Sequence, residues 1–393
     1  MRGLITLKKT LGMIIFIQFI VYAGFGMVIP VMPEIVTDVS ERAGHIGGML
    51  AIYSVASFMT SPSWGALADR KGRRIVLIVG LIGYALGFFI FAMYIDSLTI
   101  MYIGRFISGI FAGALYAAAM STLSDISDDN TRNRNLGLAG MAIGLGFIFG
   151  PASGGLLSLV SLAAPFYLAG ILMLVLVPIV FVTVKDAYWI PVVEVDKSRL
   201  LPKLTLPDAG LLKLLLFMSF TASFLLTGLE SVFQVFGIDE IAMTPAEMGL
   251  LFFIGGTALA IVQGGFLRKI RTGKEYIWII VGQVMSGVAF VFMVVYFNLI
   301  LAGIYLILFI VGNAMIRTLS LSLITRASGN RSGYASGLQF SADSLGRIFG
   351  PLLFAFTYDV LAGAIFLIAG GISFILIIVI LLNQKRLANI EPA

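Results

Sequence analysis

Residues 146–151 read GFIFGP, and 200 positions further on residues 346–351 read GRIFGP. The same offset pairs Gly137-Leu138 with Gly337-Leu338, Gly65 with Gly265, and Leu67 with Leu267. A spacing this long is not that of a solenoid, whose units run about 20–50 residues. It predicts two similar halves in a chain of 393 residues. Both halves are strongly apolar. In a membrane, two parallel-related halves imply rocking about a site held between them.

Hydrophobic residues make up 59% of the chain and charged residues 12%, where soluble domains carry about 25% charged. A soluble protein of this length could not cover so much apolar surface. The absence of cysteine excludes a disulfide framework and a thiolate metal site. The one histidine, His45, falls in a short polar connection and reads as a surface residue. The net charge of +6 would suit a nucleic acid, but the basic residues stand in short loops between apolar runs. Topology explains that placement, so no nucleic-acid partner is expected. The first apolar run is too long for a cleaved signal peptide, and no small-residue cleavage site follows it.

A bilayer core about 30 Å thick needs about 20 apolar residues per helix. Twelve runs qualify: 11–33, 45–66, 74–95, 98–122, 136–160, 164–184, 212–236, 247–267, 276–297, 299–323, 334–358 and 362–383. The fold class expected is all-α, with six spans in residues 1–184 and six in residues 212–393. The polar stretch 185–211 between them reads as a cytoplasmic linker. Of the 26 Lys and Arg residues, 22 fall on one side of these spans and only Arg42 on the other; Arg105, Arg317 and Arg347 lie inside spans. Positive loops stay cytoplasmic, which places both termini inside a multi-pass protein of the cell membrane.

Between spans 2 and 3 stands GALADRKGRR, residues 65–74. Gly65 would let the helix end approach a neighbour, and Asp69 can accept hydrogen bonds from a helix N-terminus or an arginine. Gly72 allows a tight reversal. Arg70, Arg73 and Arg74 hold the loop at the cytoplasmic surface. The bland alternative is a generic basic loop. Yet the string closely resembles the G-x-L-x-D-R-x-G-R-R/K signature of the major facilitator superfamily, between helices 2 and 3 of twelve. Arg105 with Gly109 and Gly113 in span 4 is similar to the helix-4 arginine motif of that family's proton-coupled members. In span 5, Gly146, Gly150, Pro151, Gly154 and Gly155 match the G-x-x-x-G-P-x-x-G-G motif associated with its antiporters. GFGMVIPVMP, Gly24 to Pro33, is similar to drug-exporting members. The resemblance covers the whole chain. It is closest to the bacterial 12-helix drug:proton antiporter branch, which contains quinolone and tetracycline efflux pumps. It implies two pseudo-symmetric six-helix bundles, a monomer, protons and a lipophilic small molecule as partners, and no cofactor. Two departures stand out. Lys269 replaces the counterpart of Asp69, and Ala314 with Asn313 precedes Met315-Ile316-Arg317 where some relatives carry an acid.

Only Glu230 and Asp343 among twenty acids sit well inside spans, with Glu34 at the end of span 1. An ionised group at the bilayer centre costs at least about 2.5 kcal/mol, so each should face a cavity or a partner. Ser223, Thr227, Glu230 and Gln234 form one stripe on span 7. No basic residue lies within reach along that helix, and desolvation then favours the neutral acid, as a proton carrier requires. A protonated acid bonded to a neighbouring helix is the alternative. Ser336, Gln339, Asp343 and Arg347 form a similar stripe on span 11, where Asp343 and Arg347 are spaced for direct pairing. That leaves Asp343 as either a proton site or half of a structural ion pair. Arg105 reads as a neutraliser of a carboxylate or as a brace between helices. Arg317 shares a face with Asn313 and Ser320. Gln18, Tyr22, Tyr116, Phe233 and Gln234 are the further residues expected beside a substrate.

The function expected is proton-coupled export of lipophilic drugs or toxic compounds, cationic or zwitterionic, by alternating access. Export of one metabolite, sugar or lipid intermediate is the alternative. A membrane enzyme or receptor has no nucleophile–base pair, metal cluster, phosphate loop or sensor domain to support it.

Overall fold

A computed structural model describes residues 2–40, 43–127, 132–184, 209–266, 270, 273–327 and 332–388. Among these residues the chain is helical throughout, with no strand. In the first half α1 spans Arg2–Val28, α2 Met32–Val39, α3 Gly44–Lys71, α4 Arg73–Met93, α5 Leu98–Asp125, α6 Arg132–Ser158 and α7 Ala164–Thr183. In the second, α8 spans Ala209–Ile241, α9 Pro245–Ile261, α10 Glu275–Val295, α11 Leu299–Ala327, α12 Ser332–Leu361, α13 Ala364–Leu382 and α14 Gln384–Ala388. Leaving aside the short α2 and α14, each of the twelve expected spans coincides with one long helix. The linker expected at 185–211 lies almost wholly outside the described residues.

Two spans depart from a plain rod. Span 1 ends at Val28 and resumes as α2, because Pro30 and Pro33 interrupt the ladder. The break is bridged by bonds from Ile29 N to Gly26 O (3.1 Å) and Val31 N to Val28 O (3.2 Å). Span 8 finishes in a π-helical turn, Val262–Phe266. Nine described helices are long and apolar enough to cross a membrane by length and composition alone. α3 and α12 fall short because runs of Ser and Thr, and the Gln339–Asp343–Arg347 stripe, lower their hydropathy. α9 falls short by length.

The helices cluster into two units, residues 1–41 with 52–202 and residues 42–51 with 203–393. Inside the first, α1 packs on α6, and α4 on α5 and α7; inside the second, α8 packs on α12, and α10 on α11 and α13. The second set is the first displaced by six spans. The repeated hexapeptide lies at two of these crossings, α1 on α6 and α8 on α12. A Cβ on Gly146 would meet Phe19 O at 2.8 Å and Tyr22 Cβ at 2.9 Å; one on Gly346 would meet Phe220 O at 2.6 Å and Ser223 Cβ at 2.8 Å. Gly150 stands equally close to Ala23 O, and Gly350 to Phe224 O. The two crossings therefore repeat residue by residue, with small residues letting backbones touch where apolar lipid offers no hydrophobic drive to association.

Gly154 abuts the Met27 carbonyl, whereas a Cβ on Gly144 would meet nothing within 4 Å. Gly154→Val should overpack α1 against α6 and destabilise by about 1–3 kcal/mol. Gly144→Ala should be neutral or stabilising by a few tenths to about 1 kcal/mol. Thermal unfolding in detergent, followed by the surviving monodisperse fraction, separates the two; equal melting of both variants would refute the tight crossing.

Candidate functional site

At the loop between α3 and α4, α3 ends at Lys71 and Gly72 takes φ 97°, a left-handed conformation that suits glycine. The chain then enters α4 at Arg73. The Arg73 side chain is buried, and its Nη1 donates to Asp69 Oδ1 at 2.5 Å while its Nε donates to Asp125 Oδ2 at 2.9 Å. One guanidinium thus ties α3, α4 and α5 together, a task that its planar fork performs and an ammonium does not. Asp69 takes the arginine foreseen for it. Asp125 was not singled out; its only sequence signal is an acid beside a basic loop. Arg74 caps the ring of Phe181, 3.9 Å from its centroid, and Arg70 is exposed. Gly65 corrects an expectation: nothing lies within 4 Å of where its Cβ would be, so close approach is not its reason. Lys269 lies outside the described residues. Pro151 sits against Gly26, and Gly155 is buried beneath Ser158, whose hydroxyl donates to its carbonyl.

In unit 2 the membrane-depth charges form one group. Asp343 does not pair with Arg347 four residues on. Its Oδ2 accepts from Arg317 Nη2 at 3.2 Å, across from α12 to α11. The other oxygen, Oδ1, is buried with no hydrogen-bond partner among the described residues. Glu230 on α8 is half-buried, and no described cation stands within ion-pair distance of it. Arg347 and Arg317 nevertheless act on it electrostatically from the neighbouring helices. This amends the expectation of a carboxyl isolated from basic groups, which considered only its own helix. Because Gly346 lies beside Ser223, Arg347 starts about two turns of α8 before Glu230.

Around these charges lie buried polar atoms with no partner among the described residues. They include Ser219 and Ser223 Oγ, both amide atoms of Gln234, Gln339 Oε1 and Ser320 Oγ. Such atoms are costly unless solvated or bonded, which marks this interior as a polar region and not a sealed apolar core. Thr227 donates to the carbonyls of Ser223 and Gly346. Asn313 donates to Ala222 O at 2.8 Å, bracing α11 on α8. Phe233 belongs elsewhere: it is fully buried in the packing of unit 2, edge-on to Phe297.

In unit 1, Gln18 is buried with its amide nitrogen unpartnered, and Tyr116 is half-buried on α5. Arg105 is 2% exposed. Its guanidinium lies over Phe91 (4.9 Å) and Phe166 (5.5 Å), which are stacked on each other at 4.3 Å. Beside it the hydroxyls of Tyr53 and Tyr84 meet at 3.2 Å. Sequence reasoning missed both tyrosines, since neither lies in a motif or on a polar stripe.

The helix order agrees with the family resemblance read from the sequence, and comparison with known proteins supports it. The description of the Major Facilitator Superfamily matches residues 14–351. The chain belongs to that superfamily. It is 26% identical over 389 residues to the quinolone resistance protein NorA of Staphylococcus aureus (strain COL), covering 98% of this chain and 99% of the relative. To multidrug resistance protein 1 of Bacillus subtilis (strain 168) it is 25% identical over 358 residues, covering 90% and 91%. Among solved structures, a peptide transporter in complex with sulfate superposes with TM-score 0.76 at 14% identity, over 98% and 96% of the two chains. The human organic anion transporter MFSD10 does so with TM-score 0.67 at 21% identity, over 95% and 99%. Likenesses at this identity establish the fold. The chain is a multi-pass membrane transporter and not an enzyme.

The Asp343–Arg317 pair makes a stability prediction. Removing one partner strands the other charge, so Asp343→Asn or Arg317→Gln should each destabilise by about 2 kcal/mol or more. The double variant should recover most of that loss. Melting temperatures of the three purified proteins test it, and additive losses in the double variant would refute the pair.

Proposed function

We propose that this transporter exports lipophilic small molecules, drugs among them, in exchange for protons. The observation that carries the proposal is the charge group of unit 2: two membrane-depth acids beside two guanidiniums, with one acid, Glu230, held in no ion pair among the described residues. An acid in a low-dielectric passage, near cations yet not clamped by one, can exist in both protonation states at modest cost. Asp343 already holds Arg317. When Glu230 loses its proton, the new negative charge draws on Arg317 and Arg347; when it is protonated, Arg317 returns wholly to Asp343. Proton uptake thereby changes which helices of unit 2 are held together, and conformational equilibria respond only to such differential interactions.

Drug export is supported by likeness along the whole chain to NorA and to multidrug resistance protein 1. It is supported also by the aromatic and methionine content, 31 Phe and 17 Met, which suits varied lipophilic cargo. In this reading the halves 1–184 and 212–393, joined by the 185–211 linker, alternate in access, with the Asp69–Arg73–Asp125 triad holding the cytoplasmic end of unit 1. The chain works as a monomer with both termini in the cytoplasm.

Everted membrane vesicles provide the test. Glu230→Gln should abolish proton-driven uptake of a fluorescent dye while protein abundance stays unchanged. Undiminished proton-driven uptake in that variant would remove Glu230 from the mechanism.

A further inference from the structure

The seam between α8 and α12 carries polar groups along its length that the packing there does not need. A Cβ on Gly346 would meet Ser223 Cβ at 2.8 Å, and one on Gly350 would meet Thr227 Oγ1 at 2.6 Å. The two helices therefore run side by side in one direction. By that register Asp343 stands level with Phe220, one residue from Ser219, and Gln339 about one turn nearer the start of α12. In the opposite direction come Glu230 and Gln234, and past them Tyr358 of α12 donates to the exposed Asp239 of α8. The matching crossing of α1 on α6 has Gly26, Ala139 and Ile143 where Thr227, Gln339 and Asp343 stand. The crossing forms in unit 1 without those polar groups, so shape alone does not explain them.

Six atoms of the seam are buried with no hydrogen-bond partner among the described residues: Ser219 and Ser223 Oγ, both amide atoms of Gln234, Gln339 Oε1 and Asp343 Oδ1. Ser219 is 0% exposed and Ser223 1%. A buried hydroxyl on a helix can bond back to a carbonyl of its own chain, and Thr221, Thr227 and Ser231 of α8 all do so. Ser219 and Ser223 do not. Their hydrogens and lone pairs are left for water, which settles where two to four polar groups converge.

We propose that the α8–α12 seam is a hydrated proton path inside unit 2, in which Ser219 and Ser223 relay protons between Glu230 and the end where both helices begin. The proposal deepens the proton-coupling reading and rests on it. Each serine accepts a hydrogen bond on a lone pair and passes its own hydrogen onward. A proton leaving Glu230 thus emerges at the far end as hydronium, Glu230 is left as the carboxylate, and each serine ends neutral. From Ser219 to Glu230 is about 16 Å of helix, so waters have to link the hydroxyls. Thr227 lies between, and its oxygen can still accept although its hydrogen is committed. Gln339 and Asp343 Oδ1 position water at the inner end and are not themselves relays. The charged groups around the path are Asp343, Arg317 and Arg347, with Asp239 at the opposite end.

The test uses the purified full chain in proteoliposomes, with ethidium as cargo. Two rates are read: ethidium flux driven by an imposed pH gradient, and ethidium exchange with no gradient. In the variant carrying both Ser219→Ala and Ser223→Ala, driven flux should fall about tenfold while exchange stays within about twofold. Transfer of D2O for H2O should slow that variant more than the wild type, because proton movement has become its slow step. Ser219→Thr returns a hydroxyl and should recover about half or more of the driven flux that Ser219→Ala loses. Should the double variant not fold, Gln339→Met removes a water anchor at similar volume and should show the same split between the two rates. Driven flux unchanged in the serine variants, or equal losses of both rates, would overturn the path. If Glu230→Gln abolishes driven flux that the serine variants leave untouched, only the seam is refuted. No driven flux in the wild type refutes the coupling reading and the path with it.

Discussion

Hydrocarbon contains no water, so every polar atom on these helices has to be satisfied by the protein or by what the protein admits. The backbone meets that demand by being helical throughout the described residues. The side chains meet it only in part. Arg73 is held by two carboxylates, while Arg105, Asp343 and Gln234 each keep at least one buried atom without a partner among the described residues. In the loop one guanidinium bridges three helices. Further in, among the described residues, buried polar atoms of both units are left without a partner in the chain.

Packing follows from the same absence of water. Two apolar helices gain nothing from leaving lipid for each other, so close contact must come from shape. Gly146, Gly150 and Gly154 bring α6 against α1, and Gly346 and Gly350 bring α12 against α8, with carbonyl oxygens where side chains would otherwise stand. The glycines spaced every four residues are therefore the physical content of the sequence repeat. Pro151 and Pro351 follow Gly150 and Gly350 at both crossings, inside α6 and α12.

The helices were legible because span length, the positive loops and the glycine spacing each leave a local trace in the chain. Contacts between helices were less so. The partner of Asp343 is Arg317, 26 residues away on α11, and a search along one helix finds Arg347 instead. Phe233 follows the polar stripe of α8 in sequence, yet it turns into the packing against Phe297 because the stripe is narrower than the helix. Gly65 fits a motif whose reason for a glycine is not evident in this conformation. Tyr53 and Tyr84 leave no trace at all, since two tyrosines among apolar residues on different helices become a pair only when α3 and α4 are folded.

The repeat also shows where the two halves part company. The hexapeptides GFIFGP and GRIFGP differ at one position, Phe147 against Arg347. The surrounding geometry is shared, since Gly146 abuts Tyr22 as Gly346 abuts Ser223. In the first unit that slot is filled by ring contacts of Phe147 with Tyr22 and Phe25. In the second the same slot carries a cation beside a serine whose hydroxyl is unpartnered, two turns from Glu230. A duplicated scaffold has thus been given opposite linings. One carries aromatic faces, Tyr22, Phe25 and Phe147; the other carries charges, Arg317, Asp343 and Arg347. Because the backbone crossing is the same in both, each lining can change its chemistry without disturbing how its helices pack. This separation of shape from charge lets one fold keep its crossings while the side chains between them vary.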